Sequence, residues 1–328
     1  AWFVWERPTF FGIRDLGVMI PMLHDFRQPG ETGKRAKAGV EPSEGLPEAR
    51  TAPVRAAVRI LDRAGFLDMD HHPGYTLRVR TLGAFRVWRG FSEISHKEWQ
   101  REKAKRLFQL LLTHRGTLLH REEICEQLWP EVDVDTAERD FKVALHALSN
   151  VVDPARPGRG TSVFLIRRGA LYGLTEAACL EVDRDVFLRH LRTADSETDP
   201  DRRRAGLARA LAVWGGEYLP DVRYESWCDA ERDRLRMLFV HASVAYARLC
   251  CEAQRYEEAA AACERATAVE PAWEEAYVWW MKAAAGQFNR PLVMQVFQTC
   301  ERVLRQELGV EPMAQTRAVY EALIGRWS

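Results

Sequence analysis

Residues 101–152 read REKAKRLFQLLLTHRGTLLHREEICEQLWPEVDVDTAERDFKVALHALSNVV, and this stretch decides the fold. Ala104, Leu107, Phe108, Leu111 and Leu112 fall at i, i+3, i+4, i+7 and i+8, the apolar stripe of one amphipathic helix. Gly116 is placed to stop it. A short second helix follows in HREEICEQLWP, with Ile124 and Leu128 one turn apart and Pro130 forbidding continuation. A third helix is expected to open near Asp135, with Asp135 and Glu138 arranged as a capping box. Phe141, Leu145, Leu148 and Val152 form its buried stripe.

Upstream, Leu77, Val79, Phe85 and Val87 alternate with polar residues around Gly83, the period of two short strands. Downstream of the loop DPARPGRG, SVFLIRRGALYGL reads as two strands around Arg168-Gly169, a hairpin with Arg167 and Arg168 at its tip. Before all of this, residues 1–29 are rich in aromatics. Residues 30–52 have the Gly, Pro, Lys and Glu content of a flexible linker, and Pro53 opens a short helical pattern. The expected division is 1–76 of unassigned fold, 77–175 a compact α/β unit, and 176–328 a helical domain.

From about Val182 onward, Ala-rich amphipathic segments are punctuated by Pro220, Pro271, Pro291 and Pro312. RYEEAAAACERATAVEP and LVMQVFQTCERVLRQELGVEP share a C-E-R followed by an E-P, which suits a tetratricopeptide-like stack of helix pairs. Trp214, Tyr218, Tyr224, Trp227, Trp273, Tyr277, Trp279 and Trp280 read mainly as core between such pairs. A few exposed ones would serve as partner anchors. The fold class is therefore mainly α with small β elements.

Formal net charge is zero, yet it is unevenly spread. Residues 77–175 hold 17 basic and 12 acidic side chains, whereas residues 176–328 hold 20 and 25. A basic middle beside an acidic end fits a chain of which only the middle meets phosphates. The seven cysteines include no C-x-x-C pair and no zinc-ligand spacing, and read as apolar residues of a reducing cytoplasm. No apolar run is long enough to cross a bilayer. Enzyme signatures are wanting. PGETGKR (residues 29–35) resembles a phosphate loop, but Gln28 stands where its first Gly belongs and Arg35 replaces the magnesium-binding hydroxyl. His71-His72 reads as an exposed turn, and Asp183 and Asp185 as helix caps.

The order strand–strand–helix–helix–helix–hairpin over residues 77–174 resembles the OmpR/PhoB-type winged helix-turn-helix. The strings ALAVWGGEYLPDVRYESWCDAERDRLR, YEEAAAACERATAVEPAWEEAYVWWMKAAA and CERVLRQELGVEPMAQTRAVYEALI resemble the bacterial transcriptional activator domain (BTAD). Together they resemble antibiotic-regulatory-type (SARP) activators across roughly residues 77–327. That resemblance implies a transcriptional activator that binds promoter direct repeats in double-stranded DNA and contacts RNA polymerase. The residues themselves give no cofactor, metal or catalytic signature and no membrane span, and tandem protomers on adjacent half-sites would make a homodimer on DNA. Many relatives carry an added sensor or nucleotide-binding domain, so the chain is expected to be part of something longer.

Within that frame, Arg139, Lys142, His146 and Asn150 recur along one face of the third helix, with Val143 beside them. Arg forks onto guanine, and Asn pairs with adenine. Arg167 and Arg168 suit a wing in the minor groove. Arg101, Lys103, Lys105 and Arg106 on the first helix are weaker phosphate candidates, as are Thr117 and His120 before the second. The plain alternative for each group is a solvated charged surface. Competing functions are a helical-repeat protein-interaction scaffold and the output fragment of a larger signalling ATPase.

Overall fold

The structure is a computed structural model that describes residues 74–154, 156, 162–177 and 179–327. The aromatic segment, the linker, the helical pattern after Pro53, the phosphate-loop-like string and His71-His72 all lie outside the described residues. The chain divides into two units. The first runs to Val79 and from Arg86 to Glu181; the second takes Arg80–Phe85 and Val182 onward.

In the first unit, β1 (Leu77–Arg80), β2 (Arg86–Arg89), β3 (Ser92–Glu93) and β7 (Leu180–Val182) form a sheet in the order β3-β2-β1-β7. Leu77, Val79 and Val87 are its buried alternate positions, as the period of two requires. Helices α1 (Glu102–Thr113), α2 (Arg121–Leu128) and α3 (Val134–Val152) follow. The second sheet has the order β4-β6-β5, from β4 (Leu119–His120), β5 (Leu165–Arg168) and β6 (Leu171–Leu174). This is the winged-helix order expected from the sequence.

Helix α1 is more deeply seated than its stripe suggests. Besides the predicted positions, Gln109 and Leu110 are fully buried, so the helix is enclosed almost all round from Leu107 to Leu112. The two Gln109 amide atoms are buried and have no hydrogen-bond partner among the described residues. At the far end of α3, the Tyr75 hydroxyl donates to the Val152 carbonyl at 2.5 Å and ties the helix end to the start of the sheet.

The second unit is helical: α4 (Asp183–Ser196), α5 (Pro200–Val213), α6 (Asp229–Glu252), α7 (Tyr256–Val269), α8 (Glu274–Gly286), α9 (Arg290–Glu307) and α10 (Ala314–Gly325). Successive helices pair as hairpins. The turns joining α6 to α7 and α8 to α9 are the same Schellman closure. Arg255 N–H reaches the Cys250 carbonyl (2.7 Å) and Asn289 N–H the Ala284 carbonyl (3.0 Å), around the left-handed residues Gln254 and Phe288. These equivalent residues, 254 and 288, are 34 apart, the length of a tetratricopeptide repeat. The shared C-E-R strings are not the repeat register. Cys263 and Cys300 are 37 apart, so Cys263 is equivalent to Phe297, one turn before Cys300. Both cysteines are nonetheless buried, because one helical turn returns to the same face.

Residues Arg80–Phe85 are built into this second unit by main-chain bonds. Leu219 N–H donates to the Thr81 carbonyl and Gly83 N–H to the Glu217 carbonyl, both at 2.9 Å. Asp183 is more than a cap. Its buried carboxylate accepts from Thr81 N–H (2.8 Å), Thr81 Oγ1 (2.6 Å), Leu82 N–H (2.9 Å) and Arg184 N–H (2.8 Å). Burial pushes its proton affinity up, and these donors oppose that. On α6, buried Arg232 donates to the carbonyls of Tyr218 and Val222, each at 3.2 Å, and closes the GEYLPD loop. Of the aromatics singled out, Trp214, Tyr218 and Tyr277 are buried, Trp227, Trp273, Trp279 and Trp280 are half-buried, and Tyr224 is 97% exposed. The seven cysteines are free thiols, and all but half-buried Cys251 are buried.

Candidate nucleic-acid interface

Helix α3 opens a little earlier than the sequence suggests. Its N-cap is Asp133, whose Oδ1 accepts the Thr136 N–H at 2.9 Å. That backbone bond, then the Thr136 side chain and Arg139, holds the Asp133 carboxyl below its usual range. The expected Asp135–Glu138 capping box does not form. Val134 tolerates the first helical position, and Asp133 stands three residues before the orphan Thr136 donor, the spacing an N-cap needs.

One face of α3 is packed: Ala137, Phe141, Ala144, Leu148, Val151 and Val152 are buried. The Phe141 ring meets Tyr172 of β6 edge-on, centroids 4.9 Å apart. Leu145, expected in this stripe, is half-buried at its margin. The opposite face carries Arg139, Lys142, Val143, His146 and Asn150, all exposed. The structure thus brings together the five residues selected for the third helix.

Their surroundings differ in detail. Arg139 donates to Thr136 Oγ1 at 3.2 Å. Lys142 is 3.8 Å from Glu138 one turn back. Glu138 neither caps the helix nor turns away. It accepts Arg121 of α2 at 2.8 Å and so pins α2 to α3. Asn150 is engaged on both sides: its amide nitrogen lies 3.2 Å from His146 Nε2, and its Oδ1 accepts Arg156 at 2.7 Å. Arg156, in the loop after α3, and Arg121 were not singled out from sequence. Only the folded loop and the α2–α3 crossing bring them to this helix.

In the hairpin, β5 pairs β6 with Arg168 opposite Leu171 and Arg167 opposite Tyr172. The turn is Gly169-Ala170, with Gly169 at φ +63°. The two arginines therefore precede the tip, in consecutive strand positions, and point to opposite faces. Arg167 lies over the Tyr172 ring at 5.7 Å, on the side that Tyr172 shares with Phe141. Arg168 sits beside partly exposed Leu171. Gly173 has no room for a side chain, since a Cβ there would meet Leu118 Cδ2 at 2.6 Å and the Thr117 carbonyl oxygen at 3.0 Å.

The weaker candidates are scattered. Arg101 is the exposed N-cap of α1. Lys103 donates to the Leu128 carbonyl and lies 5.6 Å over Trp129, closing the end of α2. Arg106 pairs with Glu102 at 3.0 Å, and half-buried Lys105 stands beside it on α1. Thr117 Oγ1 donates to the His114 carbonyl at 2.7 Å. His120 is the N-cap of α2, its Nδ1 accepting Glu122 N–H at 3.4 Å. Among the described residues no His, Cys, Asp and Glu cluster could hold a metal ion, and no helix is long and apolar enough to cross a membrane.

Comparison with known proteins bears on both units. Residues 182–324 match the family model described as "Bacterial transcriptional activator domain". The chain is similar to the regulatory protein AfsR of Streptomyces coelicolor, 26% identical over 252 residues, and to AfsR of Streptomyces griseus, 23% identical over 253 residues. Each likeness covers 76% of this chain and 24% of the relative, so the chain spans about a quarter of the length of the curated relatives it matches. A solved structure of Mycobacterium tuberculosis EmbR, in complex with a low-affinity phosphopeptide, shares the fold. It has TM-score 0.62 and 18% identity, over 76% of this chain and 65% of that one. Residues 182–324 thus match a bacterial transcriptional activator domain, and the chain is similar to the regulatory protein AfsR across about three quarters of its own length.

Proposed function

We propose that this chain is a sequence-specific DNA-binding transcriptional activator that binds promoter direct repeats as a homodimer and recruits RNA polymerase. The observation that carries the reading is the exposed face of α3, with Arg139, Lys142, Val143, His146 and Asn150 set opposite a packed face. A helix enters the major groove only if its polar side chains project from a rigidly seated cylinder, and the Phe141–Tyr172 contact and the Arg121–Glu138 pair seat this one. Arg139 suits guanine O6/N7, Val143 a thymine methyl, and Lys142 a base or phosphate. The amide of Asn150, held by His146 and Arg156, would reach adenine only by exchanging those partners. Arg168 and Arg167 would neutralise phosphates or enter a minor groove beside it. The acidic helical unit supplies the polymerase-facing surface in this reading. AfsR is a regulatory protein by name, which accords with it.

The test begins by selecting duplexes from a random pool with the full chain and footprinting the result. Arg139→Ala is then expected to cost about 1–3 kcal/mol on the selected site and less on random DNA. In vitro transcription at matched promoter occupancy is expected to lose activation when residues 182–324 are removed. Equal losses on selected and random DNA, or full activation without that domain, would contradict the proposal.

A further inference from the structure

The helical unit is acidic as a whole, yet its first hairpin carries an exposed cationic cluster. Helices α4 and α5 run against each other so closely that a Cβ on Gly206 would come 3.0 Å from the Ala194 Cβ. Arg189 and Arg192 stand one turn apart on the exposed face of α4, and Arg209 is exposed on α5. Among the described residues, none of these three side chains has an ion-pair or hydrogen-bond partner. Arg202, in the first turn of α5, is exposed as well, whereas Arg184 pairs with Asp185 and Glu231, Arg203 with Asp195, and Arg204 with Asp201. Asp183 is taken up by Thr81 and Leu82, and Asp199 by the N-terminus of α5. The hairpin's acids are thus largely committed elsewhere. Half-buried His190 lies among the cations; burial first, then Arg189 and Arg209, lowers its proton affinity. The Gly206–Ala194 contact sets the two helices side by side, so Arg209, one turn after Gly206, lies on the same hairpin as Arg189 and His190 although on a different helix.

Like charges gathered without a counter-charge repel one another, and a polyanion would relieve that repulsion. We propose that Arg189, Arg192 and Arg209 form a second polyanion-binding surface whose ligand is the phosphate backbone of DNA flanking the recognition site. This rests on the DNA-binding reading above. Guanidinium groups match phosphate oxygens in a bidentate fork. The chain itself favours DNA over an acidic polypeptide. Helix α4 begins at Asp183, directly after β7 of the first unit, so no linker separates the cluster from the unit that would hold the duplex. DNA bound there is presented at high effective concentration, and even a weak site of a few phosphates then contributes. The net negative charge of residues 176–328 does not oppose this, because binding is decided by the local face.

The experiment uses the full chain and a selected duplex prepared with and without long flanks. On the flanked duplex, a variant carrying Arg189→Gln, Arg192→Gln and Arg209→Gln is expected to bind at least about 5-fold more weakly at moderate salt. Its salt dependence should be shallower by about 1–3 in log–log slope, at about 0.9 for each phosphate no longer neutralised. On the bare site the two proteins should bind alike. Replacing the same arginines by lysine should restore most of the slope, which separates charge from fold damage. In the unsubstituted chain, the NMR titration of His190 should move to higher pH when flanked DNA is added. Unchanged affinity and slope on the flanked duplex, with Arg139→Ala still impaired, would overturn this surface alone. Failure of the unsubstituted chain to bind any duplex would overturn it together with the DNA-binding reading. Loss of binding to polyglutamate with DNA binding intact would overturn it in favour of an acidic protein partner.

Discussion

Glu138→Gln should make the protein less stable and a better binder of random DNA at once. Glu138 sits on the exposed side of α3 between two cations, Arg121 at 2.8 Å and Lys142 at 3.8 Å. Both Glu138 and Arg121 are about a quarter exposed, so solvent screens their pair. Neutralising the carboxylate should cost about 0.5–1 kcal/mol and lower Tm by about 1–4 °C. The same change takes the local charge of the three side chains from +1 to +2. One more neutralised phosphate steepens the salt dependence by about 0.9, which makes binding about 8-fold tighter at 0.1 M salt relative to 1 M. The assay is fluorescence anisotropy on a random duplex across a salt series, with a thermal melt on the same sample. Weaker binding with an unchanged slope, from a protein still folded at the assay temperature, would refute the placement of this α3 face against phosphates.

Arg167→Ala and Arg168→Ala should not be equivalent. Loss of Arg167 uncovers Tyr172 and lowers stability by a few tenths to about 1 kcal/mol, whereas Arg168→Ala should reduce the DNA salt slope at unchanged Tm. Equal effects of the two in both assays would contradict their opposite facing. Gln109→Leu should raise stability by about 1–3 kcal/mol in urea unfolding, because it removes a buried amide with no partner among the described residues. A fall instead would mean that the amide is satisfied, by water for example. Phe288→Gly should stabilise the chain by about 0.5–1 kcal/mol, since Phe288 is 85% exposed at φ +57°, a left-handed conformation costly for any residue with a Cβ. An unchanged or lower denaturation midpoint would show that its ring does more than project into water.

Local pattern was enough for the order of elements. The stripe of α1, the short α2 ended by Pro130, the packed face of α3 and the hairpin around Gly169 each follow from spacing along ten or so residues, and the unbroken face from Arg139 to Asn150 is visible by the same helical period. Periodicity reports which side of a helix is apolar, but not what surrounds the other sides. The enclosure of α1 from Leu107 to Leu112, with Gln109 inside, therefore appears only in the fold. Consecutive strand positions make Arg167 and Arg168 face opposite ways, and the two-residue turn decides which of them lies over Tyr172, since one residue of register there reverses every side chain. The helical repeat shows the same limit. The C-E-R strings suggest a period of 37, while the equivalent left-handed turns at 254 and 288 set it at 34. A one-turn slip preserves the buried face, so the strings alone could not reveal it. Contacts remote in sequence were the least legible. Asp183 reads as an ordinary cap until the fold brings Thr81 and Leu82, about a hundred residues away, onto its carboxylate. Glu138 reads as a misplaced negative charge until α2 supplies Arg121. Sequence spacing determined which faces exist; the packing of distant segments decided which charges on those faces are neutralised and which remain for a partner, because electrostatic pairing depends on distance in space, which local periodicity does not encode.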